Sequence, residues 1–132
     1  MIYWWQRNHS KMEYIETALK ISARLRQAMA NASTSKYTFL GGQQIVNDAM
    51  RLHRMVCEAN RLNPEKPAEA PTRATLLKQS LGLLEAIGSQ FGSLHYNIHF
   101  GEGTLADMDE LFRTEEAAIK GTIESDKGHL KQ

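Results

Sequence analysis

Residues 76–98 read LLKQSLGLLEAIGSQFGSLHYNI, and this stretch decides the fold. Leu77, Leu84, Phe91 and Ile98 recur every seven residues, and Ser80, Ile87 and Leu94 supply the second position of the same seam. A seven-residue repeat of this kind lays one apolar stripe along a helix and suits packing against near-parallel neighbours. Ser80 is its one polar break. Thr72 is the expected N-cap. Gly101-Glu102-Gly103 is expected to end the helix and turn the chain.

Working outward, three more segments carry helical periodicity. The first covers about residues 11–31, where Ser10 followed by Glu13 reads as a capping box. Ile15, Ala18, Leu19, Ser22, Leu25 and Met29 form its apolar stripe. Asn31-Ala32-Ser33-Thr34-Ser35 closes it with turn-forming residues. The second starts between Thr38 and Gln43 and ends near Leu62, with Ile45, Ala49, Leu52, Val56 and Ala59 on one face. Gly41 and Gly42 lie near its start, where glycine costs less than at mid-helix and where it lets that end approach another backbone closely. A polar loop bounded by proline runs from Asn63 to Pro71. The fourth segment opens at Thr104, with Asp107 as its capping partner. Leu105, Met108, Leu111, Phe112, Ile119 and Ile123 form its stripe. Asp107, Asp109 and Glu110 early, and Lys127 late, suit the helix dipole. Residues after Asp126 are expected to fray.

No window alternates with period two. The expected fold is therefore all-α: an antiparallel up-down four-helix bundle over residues 11–128, with an aromatic tail at 1–10 and a frayed end at 129–132. A chain of 132 residues fits one such domain. No apolar run approaches the ~20 residues of a membrane helix. The one cysteine, Cys57, has no partner for an intrachain disulfide, which points to a reducing, cytoplasmic setting. Net charge is +1, but residues 1–62 carry +5 and residues 63–132 carry −4, so one basic and one acidic surface are expected.

No residue pattern matches a catalytic or phosphate-cradling fingerprint. His95 and His99, four residues apart, would share a helix face and are the only metal candidates, but the rest of a ligand set is missing. His53 and Cys57 have the same spacing without the oxyanion-forming loop that a thiol nucleophile needs. Tyr3-Trp4-Trp5 reads equally as an interaction anchor and as a tail folded over the bundle end. The basic residues fall in rows. Lys20 and Arg24 share one face of the first helix, and Arg51, Arg54 and Arg61 one face of the second. Rows like these can neutralise phosphates and release counterions, or pair with the acidic fourth helix of a neighbouring subunit.

The order of features from Tyr37 onward also resembles a family. Leu40-Gly41 enters the second helix and Ala59-Asn60-Arg61 ends it. Arg73 opens the third helix ahead of Leu76, Leu77, Ser80 and Leu84, and Ile123-Glu124-Ser125-Asp126-Lys127 closes the last. Over residues 12–128 this layout resembles the four-helix-bundle proteins related to the accessory variability determinant of diversity-generating retroelements. That group is similar to proteins encoded within ribosomal RNA intervening sequences. The resemblance implies a non-enzymatic, cofactor-free bundle that assembles as a homo-oligomer, a pentamer in that family. It also implies binding to a reverse transcriptase and its template RNA or DNA. Carried over, the family's basic positions fall on Arg51, Arg54, Arg61 and Arg73. Two departures are visible: Thr122 stands where many relatives carry tryptophan, and the chain is near neutral where such proteins are strongly basic.

The leading expectation is an oligomeric scaffold that holds reverse transcriptase and template together for mutagenic copying. The alternative is a protein-interaction bundle whose basic and acidic halves pair between subunits without nucleic acid. A metal protein using His95 and His99 is the third reading.

Overall fold

The structure, a computed structural model, describes residues 13–31 and 36–130. Four α-helices account for nearly all of them: α1 (Glu13–Asn31), α2 (Lys36–Arg61), α3 (Ala70–Ile98) and α4 (Glu102–Leu130). Among the described residues there is no strand. Each helix packs on the next in sequence, and α4 closes back on α1. The α2/α3 contact is the most extensive of these and α3/α4 the least. Short connections between long helices enforce this up-down bundle. The Ser10 cap and the Tyr3-Trp4-Trp5 cluster lie outside the described residues.

The seven-residue repeat packs inward as its spacing requires. Leu77, Ser80, Leu84, Ile87 and Phe91 are all buried, and Leu94 and Ile98 lie half-buried at the helix end. Ser80 is tolerated there because its hydroxyl donates to the Leu76 carbonyl at 2.7 Å. Ile45, Ala49, Leu52, Val56 and Ala59 of α2 and Ile15, Ala18, Ile21 and Leu25 of α1 complete the core with Met108 and Ile119 of α4. Leu19 departs from its expected place in the α1 stripe and faces outward, 45% exposed.

Several boundaries differ from the sequence expectation. The third helix begins at Ala70, with Glu69 in place of Thr72 as N-cap and Pro71 in its first turn. Proline fits there because that N–H would go unbonded anyway. The helix ends at Ile98, and His99 caps it in the left-handed region at φ 58° with its N–H on the His95 carbonyl. The fourth helix begins at Glu102, two residues before Thr104, so only Gly101 of the Gly-Glu-Gly stretch serves the turn. Its C-terminal end continues to Leu130 where fraying was expected after Asp126. Gly41 and Gly42 do permit close approach, but to side chains. A Cβ at Gly41 would meet Leu94 at 2.9 Å, and one at Gly42 would meet Met29 at 2.7 Å.

The two ends of the bundle are closed differently. At one end Arg73 is buried, with a two-pronged ion pair to Asp126 at 2.7 and 3.3 Å. It also donates to the carbonyls of Ala59 and Leu62, both at 3.1 Å. These acceptors lie in the last turn of α2 and just past its end, where a cation complements the helix dipole. Beside it the Tyr14 hydroxyl donates to Asn60 Oδ1 at 2.8 Å. Burial pushes the Tyr14 hydroxyl above its ordinary pKa, with Arg73 opposing. One polar network thus ties together all four helices. At the other end Phe91 stacks on Phe100 at 4.8 Å and meets Phe112 edge-on at 5.9 Å. His95 also stacks on Phe100, ring centroids 6.0 Å apart, and accepts its backbone N–H at Nδ1, 3.0 Å away.

Candidate nucleic-acid interface

The stripe that buries one side of α2 fixes what the other side shows. Residues three, four and seven apart share a helix face, so Arg51, Arg54 and Arg61 stand together opposite Ala49, Leu52 and Val56. All three arginines are exposed, and none forms an ion pair with a described residue. Glu58 is the one carboxylate in this row. Asp48, half-buried, is held instead by the Gln90 amide of α3 at 2.7 Å.

The first helix contributes differently from the expectation. Lys20 and Arg24 do share a face, but it borders α4 rather than α2. Both line a groove of ≈ 410 Å³ with Asp107 and Glu110. Arg24 is committed there, donating to Asp107 at 3.1 Å and to the Thr104 hydroxyl at 2.8 Å. Lys20 lies 3.5 Å from Glu16. The two basic rows therefore do not merge. Arg26, absent from the sequence-based set, is exposed and without an ion pair among the described residues. It sits one turn before Met29, which packs on Gly42, so it lies on the α2 side of α1. Its spacing from Met29 was the available signal.

Arg73 does not join any exposed row. It continues the Ser80, Ile87, Leu94 series by one further heptad, which puts it in the seam. Its donors serve Asp126 and the end of α2, so it is unsuited to phosphate contact. Asn60 and Asp126, which hold the same network, lie in the stretches that carry the family resemblance.

The cations of α4 are locally neutralised, whereas Lys78 of α3 is exposed and forms no ion pair with a described residue. Every Lys and Arg of α4 pairs within its own helix: Arg113 with Asp109 at 2.9 Å, Lys120 with Glu116 at 3.6 Å, Lys127 with Glu124 at 3.1 Å. Free guanidinium groups thus concentrate on the α1–α2 side as Arg26, Arg51, Arg54 and Arg61. Such a face can neutralise a run of phosphates without reading bases.

The other candidates are placed as follows. His99 is the C-cap of α3 rather than a helical residue, so the i, i+4 register with His95 breaks; the rings stand 6.1 Å apart. His95 already uses Nδ1 to accept the Phe100 N–H. Among the described residues no group of three or more His, Cys, Asp and Glu could hold a metal. His53 Nε2 lies 3.5 Å from the Cys57 sulfur. Burial pushes this thiol up in pKa, with Arg61 opposing more weakly, which favours the thiol over the thiolate. No helix of the described residues is long and apolar enough to cross a membrane. Comparisons with protein-family models, with curated proteins and with solved structures find no match to this chain.

Proposed function

We propose that this chain is a non-enzymatic binding scaffold whose α1–α2 face holds the phosphate backbone of a nucleic acid. The resemblance described above supplies its setting: an accessory protein of a diversity-generating retroelement. In that role a homo-oligomer, pentameric if it follows the family, would hold reverse transcriptase and template RNA or DNA during mutagenic copying. The chain would contribute positioning and charge neutralisation, and the polymerase would make the bonds. The supporting observation is the contrast in pairing. Arg51, Arg54 and Arg61 share an exposed face with no ionic partner among the described residues, while each cation of α4 is neutralised within its helix.

The test is salt-dependent binding of a short RNA and a short DNA. Each phosphate neutralised contributes about 0.9 to the slope of log affinity against log salt on duplex DNA. Arg51→Ala and Arg54→Ala should each weaken binding across sequences and lower that slope by about one. Arg113→Ala on α4 should change neither. No binding at low salt, or equal losses from Arg113→Ala, would sink the reading. Co-purification with a reverse transcriptase tests the setting separately.

The second reading is a bundle that self-assembles through charge. It is favoured by α4, which carries eight Asp/Glu against three Lys/Arg and could face the α2 arginines of a second copy. Arg51→Glu with Arg54→Glu should then reduce the mass of the native assembly at low salt. An unchanged assembly with lost RNA binding decides against it.

A further inference from the structure

The fourth helix carries a feature that neither face of the bundle uses. Glu115 is fully buried, and neither of its carboxyl oxygens has a hydrogen-bond partner among the described residues. It occupies the α4 stripe between Leu111 and Ile119, a position any apolar side chain could fill. Desolvation favours its neutral form, because a buried carboxylate without a partner is far costlier than a buried acid.

Among the described residues, the charged groups around it offer no relief. Glu13 of α1 acts on it with the same sign and holds it further toward the neutral form. Arg24 and Arg73, which reach α4 from α1 and α3, are occupied by Asp107 and Asp126, and Lys20, on the α4 border of α1, lies 3.5 Å from Glu16. On α2, Asp48 is bonded to Gln90 and His53 lies against Cys57. On α3, Lys78 and Glu85 are exposed. On α4 itself, Arg113 and Lys120 pair outward with Asp109 and Glu116.

The seating of α4 gives this carboxyl a consequence. Interhelical ion pairs pin the helix near both ends, through Asp107 to α1 and through Asp126 to α3. Glu115 lies between these pins, about 12 Å from one and about 16 Å from the other along the axis. Clefts flank the helix on both sides: ≈ 530 and ≈ 410 Å³ along the α1 border, ≈ 310 Å³ along the α3 border. Small residues, Ala117, Ala118, Gly121 and Ser125, line the largest of them. Water therefore reaches both flanks of α4.

We propose that α4 is a pH-gated arm: loss of the Glu115 proton lifts the middle of the helix outward to hydrate the carboxylate, while the Asp107 and Asp126 ion pairs hold its ends. The gate opens with rising pH, since only the ionised form requires water. What it uncovers is the inner face formed by α1 and α3.

Hydrogen exchange of the full-length chain between pH 6 and 9, corrected for intrinsic rates, tests this. Amides around residues 111–119 should lose protection by roughly 10-fold or more as pH rises. Those of α2 and α3 should hold theirs. Glu115→Leu should abolish the pH dependence, and Glu115→Gln, which keeps shape without titrating, should do the same if the leucine variant misfolds. The idea is overturned if protection in α4 is independent of pH. It is equally overturned if all four helices loosen together, or if the non-titrating variants keep the wild-type profile.

Discussion

The two ends of the bundle solve one problem with opposite chemistry. Where α1 starts and α4 finishes, Arg73 joins Asp126 and the last carbonyls of α2, with the Tyr14–Asn60 bond alongside. Where α3 hands over to α4, Phe91, Phe100 and Phe112 close the core with His95 laid over them. The difference reflects what each end must satisfy. The polar end buries the final carbonyls of α2 beside an eight-residue loop, so donors are required. The aromatic end has a three-residue connection in which the His99 cap and the His95 ring satisfy the backbone locally. Ring area can then fill the remaining space.

The sharpest way to break the polar end is Arg73→Ala. It leaves the half-buried Asp126 without its cation and two carbonyls without a donor, and should cost about 3 kcal/mol by urea unfolding. Adding Asp126→Leu should recover part of that loss, because the stranded charge is removed. At the aromatic end, Phe91→Ala should cost about 3 kcal/mol through cavity formation and show no such recovery by a second substitution. Similar single losses with different double-mutant behaviour would establish that one end is a coupled network and the other ordinary packing.

Between the ends, Glu115 sets a pH dependence of its own. Burial, with Glu13 adding to it, raises its pKa from 4.5 to about 8. Between those values the folded chain keeps a proton that the unfolded chain has released. Stability therefore falls as pH rises from 4.5 through 8, with the full penalty present above 8. Glu115→Leu should raise stability by roughly 2–4 kcal/mol at pH 9 and flatten the unfolding profile. An unchanged profile would show that the carboxyl gains hydration in the folded state. The smallest expected effect is at His99. Its left-handed backbone strains any side chain, so His99→Gly should add about 0.5–1 kcal/mol without altering either network.

Part of the site was legible in the sequence. The exposed Arg51, Arg54 and Arg61 row follows from the α2 stripe, since whatever lies opposite buried residues faces solvent. Which cations are available did not follow. Arg24 and Lys20 have the same four-residue spacing as many free surface pairs, yet Asp107, 83 residues from Arg24, takes one of them. Two buried polar groups did leave a trace. Arg73 extends the heptad register of Ser80, and Glu115 interrupts an apolar series between Leu111 and Ile119. Spacing puts both on the buried side of their helices, whereas charged side chains ordinarily face solvent.

By itself, then, the sequence determined four helices, their buried faces and the central place of the Leu77–Ile98 repeat. Those are local properties, set by side-chain periodicity along a backbone that repeats every 3.6 residues. Only the tertiary structure decided which charges are spent and which are free, where Arg73 finds its acceptors, and that Glu115 has no partner. Each of these depends on what a different helix presents at the same height, and periodicity along one chain segment carries no information about its neighbour.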